Sequence, residues 1–126
     1  TMKAYKIDAY TNTITELEMS EDYREISQNI GCELFCVAKT LPNGDTLFVD
    51  DEGWLNPRVT RAFQFDGRVF AGNGVVLGCN RAGDSVSVKT KELDIAKLVE
   101  FAPKGFEISE EMRDAAMGSW KVTALA

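Results

Sequence analysis

Two groups of residues carry most of the chemistry that this 126-residue chain offers. The first is Asp50-Asp51-Glu52, three carboxylates at the end of an apolar stretch. Adjacent carboxylates suit a hard cation or acid–base work. The run lacks the D-x-D-x-D-G spacing of a calcium loop, so a polar strand end is expected and no metal. Neighbours on a strand point to opposite faces, which separates Asp50 from Asp51 as a catalytic pair. The second group is Trp54, Asn56, Arg58 and Arg61, joined by Asn73. A stacking ring, two cations and amide groups are what a pocket for a small ligand or nucleotide uses. The competing expectation is plain architecture, with Trp54 as a lid on the core and the arginines as rim charges.

The chain has no histidine. Ser-His-Asp and Cys-His catalysis are therefore excluded, as is any histidine-based metal site. Three cysteines, Cys32, Cys36 and Cys79, are an odd set without framework spacing. They are expected as buried small hydrophobes in a reducing cytoplasm. Gly72-Asn73-Gly74 lacks the G-x-G-x-x-G spacing and no helix follows it, so it is not a dinucleotide fingerprint. No catalytic residue, cofactor or metal is expected.

Charge is unevenly placed. The net formal charge is −6. Residues 1–56 hold 11 Asp and Glu against 4 Lys and Arg, a net of −7, while residues 57–126 hold 9 against 10, a net of +1. The acidic half argues against direct nucleic-acid binding, which needs clustered cations. Glu16, Glu18, Glu21, Asp22 and Glu25 are the candidate acidic face, suited to a basic partner surface or simply to solubility. No apolar run approaches the roughly 20 residues that span a bilayer, and no secretory h-region is seen.

The elements that must position these groups follow from periodicity. Residues 3–10 alternate, with Tyr5, Ile7 and Ala9 on one face, and residues 14–19 make the second strand of a hairpin. Ser20 is expected to cap a helix over residues 21–30, with Tyr23, Ile26 and Ile30 as its apolar stripe and Gly31 as its stop. Asn43-Gly44 predicts a two-residue hairpin turn with positive φ at both residues, joining strands 33–41 and 45–51. Asp66-Gly67 marks a second hairpin. Residues 75–79 and 85–89 form a third, with Val86 and Val88 inward. Thr90 is expected to cap a short helix over 91–98, a strand returns at 99–101, and Ser109 opens a last helix over 110–118. The fold class is α+β: a twisted, mainly antiparallel sheet built of hairpins, one main helix (21–30) packed on it, and short C-terminal helices. The chain reads as a single domain, 1–126, with 102–126 a tail that packs loosely or binds a partner.

Four stretches resemble a known family: Ile30-Gly31, Val49-Asp50-Asp51-Glu52-Gly53, Leu55-Asn56-Pro57 and Gly72-Asn73-Gly74-Val75-Val76-Leu77-Gly78. Over roughly residues 14–80 the chain is similar to the DUF3846-type domains, small domains of unknown function found mostly in bacteriophages and other mobile elements. The resemblance implies context rather than activity: a phage or prophage accessory protein made in a bacterial cytoplasm. The expected function is non-catalytic binding of a bacterial host protein through the acidic face, with inhibition of a host defence as one form of it. The alternative is a ligand-binding module with a pocket around Trp54, Arg58 and Arg61. Neither expects a nucleic-acid or membrane partner.

Overall fold

The computed structural model describes residues 1–118. The chain is α+β, with nine strands in two antiparallel sheets and three helices among the described residues. The larger sheet contains β1 (Met2–Asp8), β2 (Thr13–Met19), β3 (Phe35–Thr40), β4 (Thr46–Asp50), β7 (Gly74–Cys79) and β8 (Ser85–Val86). Its order is β2-β1-β7-β4-β3, with β8 added on β7. The smaller sheet is β6 (Arg68–Ala71), β5 (Ala62–Phe65) and β9 (Val99–Phe101), in that order. The helices are α1 (Arg24–Ile30), α2 (Glu92–Leu98) and α3 (Glu110–Gly118).

The expected single sheet is thus two sheets, packed face to face. Period-2 alternation decides the layers. Tyr5, Ile7, Leu47 and Val76 leave one face of the large sheet and meet Phe63, Phe65 and Phe70 of the small one. Ile95 of α2 joins this core. The opposite face of the large sheet buries Met2, Ala4, Val75 and Leu77 against Ile26 and Ile30 of α1. Each of those two isoleucines contributes about 1.5–3 kcal/mol by leaving water. The small sheet's outer face, Ala62, Val69 and Ala71, is covered by Trp54, Val59, Phe106 and Ile108.

Several boundaries differ from expectation for local reasons. The helix begins at Arg24 rather than at residue 21. Asp22 accepts from the Arg24 amide at 3.0 Å, and the Ser20 hydroxyl is tied to the Glu25 carboxylate and accepts the Asp22 amide. The stop at Gly31 is as expected, left-handed at φ 86°. It is one of three helices of 7, 7 and 9 residues, so none is dominant by length.

The Asn43-Gly44 turn is of a different kind. Only Gly44 has positive φ, at 95°. Its amide bonds the Leu41 carbonyl at 3.0 Å and the Leu41 amide bonds the Asp45 carbonyl at 2.7 Å. That is a type I turn over Pro42-Asn43 followed by a bulged glycine, the geometry a proline at the first central position favours. The two-residue reversal with both φ positive stands instead at Asp66-Gly67, at 51° and 83°.

Thr90 does not cap α2, whose N-cap is Lys91 without a side-chain bond. Its hydroxyl and amide bond the Asp45 carboxylate, which also receives the Lys89 amide. Asp45 is wholly buried. Val88 is buried beside it as expected, while β8 itself is only two residues long. In the 102–126 tail, Ala102 and Ile108 are buried and α3 begins at Glu110, with the Ser109 hydroxyl accepting the Met112 amide. Residues 119–126 lie outside the described residues. No helix among the described residues is long and apolar enough to cross a membrane.

Candidate functional site

The connection from residue 51 to residue 60 has no regular structure, yet its backbone is held at many points. The amides of Leu55 and Asn56 bond the Glu52 carbonyl at 3.0 Å each. The Asn56 side-chain oxygen accepts the Arg58 amide at 3.0 Å, a short turn that asparagine makes readily. From below, the Arg113 guanidinium donates to the carbonyls of Trp54, Asn56 and Val59. Arg113 is only 9% exposed, and a planar fork of donors suits three converging carbonyls. The loop therefore presents Asn56 and Arg58 from a fixed base.

These two side chains stand in the wall of a cleft formed by two adjoining hollows. One, of about 530 Å³, runs along the end of α1 past Gln28, Gly31, Cys32 and Glu52. The other, of about 250 Å³, is closed by Tyr10, Ile30, Val59 and Asn73. Gly31, Asp50, Asn56 and Arg58 line both. All four stretches that carry the family resemblance thus reach one cleft.

Hydrogen bonds fix how the polar groups face. The Asn73 side-chain oxygen accepts the Ala9 amide at 2.8 Å, which leaves its NH₂ as a donor. Asn56 is held the same way by the Arg58 amide. One oxygen of Asp50 accepts the Glu52 amide at 2.9 Å. The Tyr10 hydroxyl accepts the Thr60 amide at 3.2 Å, and Tyr10 is 50% exposed. Among the described residues, no carboxylate pairs with Arg58 within 4.0 Å. Burial pushes the Cys32 thiol up from its ordinary 9.0 to about 11, with the charges of Asp50 and Cys36 adding to the rise. At neutral pH it is a thiol, not a nucleophilic thiolate.

The pocket residues expected from sequence are divided. Asn56, Arg58 and Asn73 meet in the cleft. Trp54 does not line the cleft: it is half-buried against the small sheet and lines a neighbouring cavity of about 350 Å³ with Asp51 and Arg68, which has Asp50 in common with the cleft. Arg61 is a brace. Its guanidinium donates to the carbonyls of Ala9, Ala102, Pro103 and Phe106 and to the Asn12 side chain. Tyr10 and Gly31 also line it, and Glu33 and Glu52 line the larger hollow beside Arg58; none of these was expected in the pocket. The signal for Tyr10 was its outward position in the alternating first strand.

The five acidic residues do not share one face. Glu16 and Glu18 stand opposite Tyr5 and Lys3 on β1, and cross-strand partners point the same way. That is the face covered by the small sheet. Glu21, Asp22 and Glu25 surround the start of α1, which packs on the other face. Glu16 pairs with Lys3 at 3.6 Å and Asp22 with Arg24 at 2.9 Å. The Arg24 guanidinium hydrogen-bonded to Asp22 holds that carboxyl below its usual range. Tyr23, between these carboxylates, is 69% exposed. No group of three Cys, Asp or Glu side chains among the described residues is placed to hold a metal ion.

No curated protein and no solved structure matches this chain. One family model matches residues 2–100, described as a domain of unknown function, DUF3846. The match is wider than the motif-bearing stretch and ends within β9. By that match over most of its length, the chain belongs to the DUF3846 family.

Proposed function

We propose that this protein is a non-catalytic binding module whose ligand site is the cleft at Arg58. The observation that carries this is the guanidinium itself. It stands in a concave wall, on a loop clamped from below, with no carboxylate partner within 4.0 Å among the described residues. A cation on a rigid base beside amide donors supplies the placed polar groups that orient a ligand in a small-molecule site. The absence of histidine and the protonated Cys32 favour binding over catalysis. Isothermal titration against a panel of small metabolites tests it, with Arg58→Ala as the control. Saturable binding lost in that variant is the expected result. A panel that binds the variant as tightly as the parent overturns it.

A second reading rests on Tyr23. An exposed tyrosine, with Glu21, Asp22 and Glu25 within two positions of it in the chain, is the type of residue that anchors protein interfaces. On this reading the chain is an accessory protein of a phage or other mobile element. It acts in a bacterial cytoplasm and docks its acidic rim on a basic surface of a host protein, such as a defence component. Tyr23→Ala with Glu21→Lys should then abolish recovery of a host partner, and raising salt from about 0.05 to 0.5 M should slow association. If instead only Arg58→Ala abolishes function, the rim is not the contact.

A further inference from the structure

We propose that β3, an open edge of the large sheet, pairs with the same edge of a second copy of this chain. β3 ends the order β2-β1-β7-β4-β3, so one of its sides has no neighbouring strand among the described residues. The Asp51 amide bonds the Leu34 carbonyl at 3.0 Å, which turns Leu34 and, two positions on, Cys36 toward β4. Backbone groups alternate in direction along an antiparallel strand. The N–H and C=O of Phe35 and Val37 therefore point outward from the edge, where no other backbone bond takes them among the described residues. Leu34 and Val37 are also 57% and 60% exposed, although both are large apolar side chains.

Native sheets guard such edges with charge, proline, bulges or brevity. β2, at the opposite end of the order, carries Glu16 and Glu18. In the small sheet β6 begins with Arg68, and β9 is three residues long with Glu100 at its centre. From Leu34 to Ala38 the chain has no charge and no proline. The one guard is the bulge between Val37 and Lys39, which ends the regular ladder and limits the open stretch.

That stretch is complementary to itself. A two-fold antiparallel register with Cys36 opposite Cys36 of the partner subunit sets Phe35 opposite the partner's Val37. Those two residues exchange N–H···O=C bonds in both directions, and by symmetry so do Val37 and the partner's Phe35. Every outward group of the stretch is then paired, and the bulge is not reached. Side chains agree with the backbone. Phe35 packs edge-on against Phe48 at 5.5 Å, and Val37 stands opposite Phe48 in the β3–β4 ladder. Phe48, Val37 and the partner's Phe35 thus form one apolar strip across the axis. Charge points to the same edge and the same occupant. Each copy carries −6, and pairing through β2 would set carboxylates against carboxylates, whereas this register opposes no like charges. A basic partner segment would find no carboxylate along Leu34–Ala38.

The test is analytical ultracentrifugation of the intact chain, carried up to about 0.5 mM so that even weak pairing registers. The expected mass is twice the 13.9 kDa of one chain. Val37→Lys places a charge on the exposed edge and should return the mass to that of one chain, with the circular-dichroism spectrum unchanged. Thr15→Lys, on β2, should leave the dimer intact. An isotope-filtered NMR experiment on a mixture of labelled and unlabelled chains reads the register. It should show contacts between the Phe35 ring of one copy and the Val37 methyls of the other. A single-chain mass at the highest concentration overturns the proposal. A dimer that survives Val37→Lys, or that lacks the Phe35–Val37 contacts between copies, overturns β3 as its interface.

Discussion

Arg113 donates from Nη1 to the carbonyl of Asn56 at 3.0 Å, across 57 positions of sequence. The same guanidinium reaches the carbonyls of Trp54 and Val59. α3 thereby fastens the loop that presents Asn56 and Arg58, although among the described residues none of the helix lines either hollow of the cleft. Arg113 is a positioning residue for the candidate site.

Arg113→Ala should cost about 2–4 kcal/mol, because three part-buried carbonyls lose a charged donor at once and the nearly buried side chain that packed there is gone. Arg113→Lys should recover only part of this, since an ammonium cannot span the three acceptors as a planar fork does. Urea unfolding measures the loss, and hydrogen exchange at Asn56 and Arg58 reports the loosened loop. Unchanged exchange in the alanine variant would show that the loop holds itself.

Gly44→Val should destabilise by about 2 kcal/mol or more. Gly44 sits at φ 95°, where a β-branched residue is strained. A Cβ there would also stand 2.5 Å from the Cys79 carbonyl oxygen. Gly67→Ala is the matched control. It has a similar φ of 83° but nothing within 4 Å of the added carbon, so it should cost about 1 kcal/mol. Equal denaturant midpoints for the two variants would remove the steric part of the argument.

Asp45→Ala should cost about 3 kcal/mol or more and unfold the protein at moderate temperature. The buried carboxylate holds the Lys89 and Thr90 amides and the Asn43 side chain in one cluster, joining the β3–β4 turn to the segment before α2. Removing it leaves those donors unpaired. Asp45→Asn keeps one acceptor and should fall between. A thermal melt of all three proteins checks the order.

Cys32 and Cys36 both have thiols raised from 9.0 to about 11, first by burial; for Cys36 a hydrogen bond with Asp51 adds to it. In a Cys79→Ser background, alkylation by iodoacetamide at pH 7.5 should run about 100-fold slower than for a free thiol. The unfolded chain releases these protons at lower pH than the folded one. The contribution of the two thiols to stability is therefore complete below about pH 9 and is lost as pH rises toward 11. Labelling at the free-thiol rate, or stability flat across that window, would contradict the assignment.

Much of the element list was legible in the sequence because it depends on neighbours in the chain. Alternation placed Tyr5, Ile7, Phe63 and Phe65 inward, Gly31 ended α1, and the last two elements fell at Val99–Phe101 and Glu110–Gly118. The type of the Leu41–Asp45 reversal was not legible from Asn43-Gly44 alone, because Pro42 selects a type I turn and the bulge follows from it. Ser20 and Thr90 looked like helix caps by type and position. Both hydroxyls found carboxylates instead, and for Thr90 that partner lies 45 residues away.

The candidate site divides the same way. The sequence determined which chemistry is available: no histidine, a carboxylate run, arginines and asparagines near two flexible turns. It also determined that acidic residues crowd the first half. Tertiary structure decided which of these meet. Pleating sends Glu16 and Glu18 to the face opposite α1, so a patch continuous in sequence is divided in space. Arg58 and Arg61 are three residues apart and chemically alike, yet one stands in a cleft and the other is bonded to four carbonyls. The physical reason is that a side chain's role depends on the unpaired groups brought near it by distant segments, and local periodicity carries no record of those.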